Sequence, residues 1–260
     1  MKIIRYLYGW QQEYGIVEDS LIYRCKGDPF SGLDKTADTV KPEEIRLLAP
    51  VSPPNILCLG LNYKGHADEA KMAYPPAPLI FIKPTTALCG PGDPIVLPRA
   101  YRDRIDYEVE LAIVIGKRAK NVSEEEVQGV VLGYTVANDV SNRTAQFKDG
   151  QWSRGKSYDT FCPLGPAIAT DVDGDNLDIT CRIDGVVMQA SNTSDMIFPC
   201  RRIVSYLSEC MTLLPGTVIL TGTPQGVGYT RKPPVFLKPG QTVECSIWGI
   251  GTLSNPVKDE

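Results

Sequence analysis

The clearest pattern of hydrophobic and polar positions lies at residues 105–115, with the sequence IDYEVELAIVI. Apolar and acidic residues alternate in its first half, and its second half is wholly apolar. This pattern predicts one strand that carries acids on one face before it enters the core. Other apolar runs are bounded by glycine, proline or aspartate and predict further strands at residues 2–8, 15–24, 56–63, 79–82, 130–139 and 218–222. Residues 181–189 predict two strands joined by a turn at Asp184 and Gly185.

Helical patterns are few. Only the segment near Ile203–Met211 forms a convincing amphipathic helix, and Pro215 and Gly216 follow it as stop signals. Residues 64–73 favour a short helix or a mobile turn, and residues 123–126 fit a capping box that opens another short helix. The chain contains 23 glycines and 21 prolines, which favours many turns over long helices.

The two ends of the chain differ in pattern. The first 50 or so residues are a strand-rich segment punctuated by turn residues, and longer apolar runs begin after the proline pair at residues 53–54. With 43% hydrophobic and 22% charged residues, the chain can fill a sizeable core. We therefore predict a mainly β fold with few helices, divided into a small N-terminal β-rich segment (residues 1–52) and a larger domain (residues 53–260).

Charge and hydropathy argue against two classes of partner. The chain has 27 basic and 31 acidic residues, a net charge of −4, and so lacks the basic field that nucleic-acid binding requires. Its longest uncharged stretch, Cys210 to Thr230, is broken by Pro215 and Pro224 and cannot cross a bilayer as a helix. We expect neither nucleic acid nor membrane as a partner.

The eight cysteines include no CxxC pair, which argues against zinc-finger and thioredoxin sites. The first residues, MKIIRYLYGWQQEYG, carry scattered charges instead of the apolar stretch of a signal peptide. We therefore expect reduced, mostly buried thiols in a cytoplasmic protein.

Two acids of the strand at 105–115, Glu108 and Glu110, form the first candidate site. Side chains at positions i and i+2 of a strand lie on one face about 7 Å apart, so the two carboxylates converge. A solvated strand face is a common arrangement for such a pair. This strand, however, continues into the core-like segment LAIVIG, and buried acids are rare without a neutralising cation or proton. All-oxygen ligation suits Mg²⁺ or Mn²⁺ rather than zinc.

Two further motifs are candidates for the same site. Asp139 ends an apolar strand, where side chains face clefts, and is a third candidate ligand; the alternative is an Asx turn. The only histidine, His66, stands three residues before Glu69. On one helical turn the two would share a face, so Glu69 would orient the imidazole and stabilise its protonated form. A surface histidine is the alternative, but any histidine-based catalysis must use His66.

Basic and hydroxyl side chains could bind an anionic substrate. Lys156 precedes a proline-flanked apolar segment, where it could bind a carboxylate or enolate, and Arg143 is a candidate for a second substrate carboxylate. The segment TGTPQG at 221–226 offers N–H and hydroxyl groups to an anion but lacks the Gly-Lys-Ser/Thr ending of a P-loop. Exposed side chains and an ordinary turn are the alternatives.

Several motifs, taken in their order along the chain, resemble the fumarylacetoacetate hydrolase (FAH) superfamily. They are LGLNYKGHADE, FIKPTTALCGPGDPI, DYEVELAIVIGK, GYTVANDVSNR, GKSYDTFCPLGP and LTGTPQGVG, and together they cover about residues 53–258. Each motif alone is weak, but the ordered set is highly specific. The resemblance implies a mixed β-sandwich roll, with residues 53–260 as an FAH-like catalytic domain, and a homodimer.

The resemblance also implies roles for the candidate residues. A divalent metal, Mg²⁺ or Mn²⁺, would be held by the carboxylates of Glu108, Glu110 and Asp139. His66 and Glu69 would form an acid–base dyad on a lid over the substrate. Lys156 would support the oxyanion of the substrate, and Thr223 lies in the segment that contacts it.

The substrate expected from this site is a small anionic 2-oxo acid that chelates the metal. The metal and Lys156 would stabilise the pyruvate enolate that forms when the C3–C4 bond breaks. With His66 activating water, we predict a C–C bond hydrolase for 2,4-dioxo acids such as acylpyruvates or fumarylpyruvate. The alternatives are a decarboxylase of oxaloacetate and an isomerase or decarboxylase of 2-hydroxymuconate-type diacids in aromatic catabolism. A metal- or ligand-binding module without turnover is the non-enzymatic alternative.

Overall fold

A computed structural model describes all 260 residues of the protein. Strands dominate it, which confirms the prediction of a mainly β fold with few helices. In chain order the strands are β1 (Lys2–Tyr8), β2 (Gln11–Glu18), β3 (Leu21–Asp28), β4 (Gly32–Val40), β5 (Ile45–Leu48), β6 (Ile56–Gly60), β7 (Leu79–Lys83), β8 (Leu88–Cys89), β9 (Ile95–Leu97), β10 (Ile105–Asp106), β11 (Val109–Ile115), β12 (Val131–Asn138), β13 (Ser141–Asn142), β14 (Cys162–Ala169), β15 (Asp178–Ile183), β16 (Val186–Asn192), β17 (Val218–Leu220), β18 (Thr242–Ile247) and β19 (Gly251–Asp259).

The four α-helices are short. They are α1 (Lys64–Ala70), α2 (Arg143–Asp149), α3 (Ser153–Lys156) and α4 (Cys200–Cys210). The predicted amphipathic helix is α4, which buries Cys200, Ile203, Val204 and Leu207 at the i, i+3, i+4 and i+7 spacing of one helical face. None of the helices is both long and apolar enough to cross a membrane.

The largest sheet has twelve strands, ten of which follow the order β4-β3-β2-β1-β14-β12-β11-β17-β6-β7. Strand β1 pairs with β14 as well as with β2, so the N-terminal strands continue the sheet that carries β11. Most neighbours are antiparallel, whereas β17 and β6 run parallel. Strand β7 forms one edge of this sheet.

A second sheet, in the order β16-β15-β18-β19-β9, packs across the first. The larger hydrophobic core joins alternate residues of β11, such as Leu111 and Ile113, to Ile179 and Cys245 of the second sheet. The intervening residues Ala112 and Val114 enter a smaller core on the opposite face. Because β11 is buried on both faces, its second half has no polar positions.

Three local predictions differ from the structure. The run at 15–24 is two strands, because Asp19 and Ser20 have positive φ and turn the chain between β2 and β3. The run at 105–115 is interrupted at residues 107–108 and divides into β10 and β11. Around residues 123–126 the chain turns into a short 3₁₀ helix at Val127–Gly129 instead of an α-helix.

Candidate active site

The three predicted metal ligands meet at one end of β11. Glu108 directly precedes this strand, Glu110 lies within it, and Asp139 directly follows its neighbour β12. The register pairs Val109 with Asn138, and the N–H of Asp139 donates to the carbonyl of Glu108 at 2.9 Å. Each carboxylate therefore offers an oxygen within 4.8 Å of the others. All three residues are at most 5% exposed, which excludes the solvated strand face.

Two buried lysines contact these carboxylates. Nζ of Lys156, at the end of α3, lies 2.6 Å from Oε2 of Glu108 and 2.5 Å from Oδ2 of Asp139. Nζ of Lys83, at the end of β7, lies 2.5 Å from Oδ1 of Asp139. Burial alone would lower the pKa of Lys156, but Asp139 and Glu108 outweigh burial and hold this pKa above its usual range. Lys156 is therefore a charged group at neutral pH.

The glutamates differ in their electrostatic environment. Burial alone would raise the pKa of Glu108, but the cations of Arg143 and Lys156 hold it well below its usual range. Burial raises the pKa of Glu110 well above its usual range, and the carboxylates of Asp139 and Glu108 raise it further. Lys83, Lys156 and Arg143 pair with Asp139 and Glu108, but none of them forms an ion pair with Glu110, which therefore lacks a countercharge of its own.

The remaining negative charge of the cluster bears on whether these residues could bind a metal ion. Three converging carboxylates with an uncompensated negative charge match the oxygen ligands that Mg²⁺ and Mn²⁺ prefer. The residues present therefore fit a hard divalent cation.

The predicted acid–base pair lies on α1, which follows β6. Nδ1 of His66 lies 3.5 Å from Oε2 of Glu69, one helical turn away. His66 is only 8% exposed, and its Nδ1 has no hydrogen-bond partner. Both oxygens of Glu69 accept the N–H of Gly226, at 3.2 and 3.1 Å. Burial acts to raise the pKa of Glu69, but the neighbouring imidazole of His66 and the hydrogen bond from Gly226 lower it, which keeps this carboxylate ionised.

The loop at residues 221–226 donates hydrogen bonds both to Glu69 of α1 and to Glu110 of the carboxylate cluster. The N–H of Gly222 donates to Oε2 of Glu110 at 2.7 Å. Gly222 has a φ of +96°, and a Cβ at this position would lie 2.8 Å from Cβ of Asn62, so glycine is needed for the approach. Oγ1 of Thr223 donates to the carbonyl of Val109 at 2.9 Å.

Arg143 is buried, and all three of its guanidinium nitrogens make hydrogen bonds within the protein. Nε donates to Asp106 at 2.8 Å, Nη1 to Gln146 at 2.9 Å, and Nη2 to Glu108 at 2.5 Å. Asp106 also accepts the N–H groups of Gly228 and Tyr229. Arg143 thus positions Glu108, and its predicted contact with a substrate carboxylate stays a prediction.

A cavity of about 140 Å³ opens beside the carboxylates. Its polar wall consists of His66, Glu108, Glu110, Arg143, Gln146, Lys156 and Thr223. Its apolar wall includes Leu59, Leu61, Phe81 and Trp152. All the predicted site residues except Glu69 and Asp139 line this cavity, and those two contact residues that do. The cavity therefore has room only for a small molecule, and its polar wall suits a ligand with a strongly polar end.

Sequence reasoning missed four buried polar residues that build the site: Asn62, Lys83, Asp106 and Gln189. A lysine at the end of an apolar strand, in FIKP, was the only local signal for Lys83. The side chain of Asn62 bonds to Phe198 and Thr221, and that of Gln189 bonds to Val109 and Thr223. These partners are far apart along the chain, so no local pattern points to them.

Family models match almost the whole chain. The model described as Fumarylacetoacetate (FAA) hydrolase C-terminal matches residues 55–258. A second model, described as Rv2993c-like, N-terminal, matches residues 1–50. The predicted division at residue 52 falls between these matches.

Several proteins from other organisms are similar to this chain over most of its length. A mitochondrial oxaloacetate tautomerase of Xenopus laevis is 48% identical over 233 residues, which are 87% of this chain and 73% of the relative. The crystal structure of a 5-carboxymethyl-2-hydroxymuconate delta-isomerase from Mycobacterium smegmatis has a TM-score of 0.91, at 40% identity and full coverage of both chains. A fumarylacetoacetate hydrolase from Exiguobacterium antarcticum has a TM-score of 0.88, at 34% identity and full coverage of both chains. These likenesses confirm the predicted FAH-type architecture.

Proposed function

Because this chain belongs to the fumarylacetoacetate hydrolase family, we propose that it is an enzyme that moves a proton between the keto and enol forms of a small 2-oxo acid. Members of this family are enzymes that act on small acids. The names of the relatives above favour tautomerase or isomerase activity over the C–C hydrolysis that the sequence motifs favoured. An isomerase was one of the alternatives predicted from sequence, whereas a tautomerase was not.

One observation carries the proposal. The only imidazole of the chain is buried in the wall of the cavity that the carboxylates and Lys156 also line. Nδ1 of His66 faces Glu69, which leaves Nε2 as the ring nitrogen for proton transfer. A keto–enol conversion requires one base that can take and return a proton, together with a positive group at the substrate oxygen.

Each group of residues would have a separate role in the keto–enol conversion. Glu108, Glu110 and Asp139 would hold Mg²⁺ or Mn²⁺, which supplies Lewis-acid character toward a 2-oxo acid when bound. In the direction from keto to enol, His66 would remove a proton from the carbon next to the 2-oxo group and deliver it to the 2-oxo oxygen. In the reverse direction it would move the proton from the enol hydroxyl back to that carbon. Lys156 would hold the oxygen at which negative charge develops, because its ammonium group is buried and charged. The apolar wall would exclude water and so limit competing hydrolysis.

Proton exchange in heavy water tests this activity directly. With Mg²⁺ and either oxaloacetate or a 2-hydroxymuconate-type diacid, we expect loss of the enol absorbance and entry of deuterium at C3, both faster than in buffer. A matched reaction with His66→Ala should show only the buffer rate. An exchange rate equal to that of buffer, with Mg²⁺ bound, would contradict this activity.

Hydrolysis of acylpyruvates is the second candidate. The Glu69-oriented imidazole could activate water, and one of the similar solved structures is named a fumarylacetoacetate hydrolase. Acetylpyruvate distinguishes the candidates, because hydrolysis releases pyruvate and acetate whereas tautomerisation releases neither. Release of pyruvate faster than C3 exchange would replace our proposal with this one. The predicted homodimer, the cytoplasmic location and the choice between Mg²⁺ and Mn²⁺ belong to the same proposal.

A further inference from the structure

Strand β11 loses a backbone partner at the end that carries the metal ligands. Strand β17 pairs with β11 only from Ala112 to Val114, where Leu220 lies opposite Ala112. The edge of β11 at Val109 and Leu111 would therefore be left without hydrogen bonds, although both residues are fully buried. Unpaired backbone groups in such a position are costly.

Side chains take the place of the missing strand. The N–H and Oγ1 of Thr221 both donate to the carbonyl of Leu111, at 3.0 and 2.9 Å. Oγ1 of Thr223 donates to the carbonyl of Val109, and Oε1 of Gln189 accepts the N–H of Val109 at 3.0 Å. Because side chains make most of these bonds, the backbone of loop 221–226 is free to turn toward the cavity.

Gln189 reaches this edge from β16 of the second sheet and is 1% exposed. Its Nε2 donates to Oγ1 of Thr223 and to the carbonyl of Pro224, each at 2.9 Å. Both amide hydrogens and the oxygen of its carboxamide are thus used. One side chain therefore joins the peptide between Glu108 and Glu110 to the loop whose Gly226 holds Glu69.

From these contacts we propose that Gln189 is a positioning residue that sets both the spacing of the Glu108 and Glu110 carboxylates and the place of loop 221–226. It contacts neither the cavity nor the carboxylates, and acts through Val109 and Thr223. Its effect on turnover rests on the proposed function, whereas its effect on metal affinity does not.

Two variants separate the hydrogen bond that Gln189 accepts from Val109 from the two that it donates to loop 221–226. Gln189→Met keeps the side-chain length and removes all three hydrogen bonds. Gln189→Glu keeps an oxygen for the N–H of Val109 but loses the donors to Thr223 and Pro224. Gln128→Met, at an exposed glutamine that does not line the cavity, is the matched control. Two readouts need no substrate: Mg²⁺ affinity by titration calorimetry, and hydrogen exchange of the Gly222 and Gly226 amides by NMR.

We expect Gln189→Met to weaken Mg²⁺ binding about 10-fold, as outer-shell changes do, and to speed exchange of both amides about 10-fold through the lost hydrogen bonds. Gln189→Glu should speed exchange of the Gly226 amide equally while Mg²⁺ affinity stays within about twofold of the wild type. A residue that only stabilised the fold would lower the melting temperature without this separation.

Wild-type Mg²⁺ affinity in a folded Gln189→Met protein would overturn the proposal. If Gln189→Met does not fold, Gln189→Glu decides alone, and unchanged exchange of the Gly226 amide would overturn it. Absence of proton-exchange activity in the wild type would count against the proposed function, and the two substrate-free readouts would still decide the role of Gln189.

Discussion

Nζ of Lys83 lies 2.5 Å from Oδ1 of Asp139, and neither side chain has any exposed surface. The other oxygen of Asp139 accepts a hydrogen bond from Lys156. Asp139 is therefore held between two ammonium groups, one from the edge strand β7 and one from α3. Two buried charges in contact stabilise the folded protein only as a pair, because each alone would be desolvated without compensation.

Lys83→Met should therefore destabilise the protein by about 3–5 kcal/mol, the usual cost of breaking a buried ion pair. The free energy of unfolding from urea titration measures this effect. Lys35→Met is the matched control, because Lys35 pairs with Glu18 on the surface, where water already solvates both charges. Equal stability losses in the two variants would contradict a structural role for the buried pair.

Glu110→Gln should stabilise the metal-free protein and weaken its binding of Mg²⁺. The pKa of Glu110 is raised by burial and by two neighbouring carboxylates, so its ionised form opposes folding. Glutamine removes this charge but is a poorer ligand for a hard cation. Melting temperature in EDTA and Mg²⁺ titration calorimetry measure the two effects. Glu43→Gln, at an exposed position, should change neither.

The stabilisation by Glu110→Gln should depend on pH. A carboxyl whose pKa is raised on folding binds its proton more tightly in the folded state, so stability falls as the pH rises above the ordinary glutamate range. In EDTA, the difference in unfolding free energy between Glu110→Gln and wild type should thus be smallest near pH 4.5 and grow toward neutral pH. A difference that shrinks with rising pH would show that Glu110 has a compensating partner.

His66→Asn should lower kcat for proton exchange about 10²- to 10⁴-fold, the usual contribution of a general base. Glu69→Gln should lower it less, because glutamine still accepts the N–H of Gly226 and keeps α1 in place. Neither residue contacts the predicted ligands through a hydrogen bond, so Mg²⁺ affinity should be unchanged in both. Loss of Mg²⁺ binding in His66→Asn would reassign the histidine to the metal site.

Gly60→Ala should displace Trp152 from the cavity wall. A Cβ at position 60 would lie 1.9 Å from Cζ3 of Trp152, which packs edge-on against Phe81. We expect destabilisation of about 1–3 kcal/mol from overpacking, together with a raised KM, because Trp152 begins the helical turn that ends at Lys156. Gly129→Ala is the control, since a Cβ there meets nothing within 4 Å. Equal stability of the two variants would show that the Trp152 ring moves freely.

Local patterns in the sequence indicated several of the fold elements, but strands such as β14, β18 and β19 were not predicted. The predictions of α4 from its apolar spacing and of the β15–β16 hairpin from Asp184 and Gly185 are confirmed. The interruption between β10 and β11 was not predictable, because alternation alone looks the same in a continuous strand and in a broken one. The turn at Asp19 and Ser20 was missed because neither residue is a glycine, although both adopt positive φ.

For the site, the sequence by itself indicated which residues are candidates to carry the chemistry. One histidine, a Glu-x-Glu pair and an aspartate at a strand end follow from residue type and short spacing, and the structure brings them together around one cavity. Only the tertiary structure decided how their charges are balanced. Lys83, Arg143 and Lys156 reach the carboxylates from three separate elements, and Gln189 reaches Val109 from another sheet. The energy of a buried charge depends on partners that are close in space, and the spacing of residues along the chain does not contain those distances.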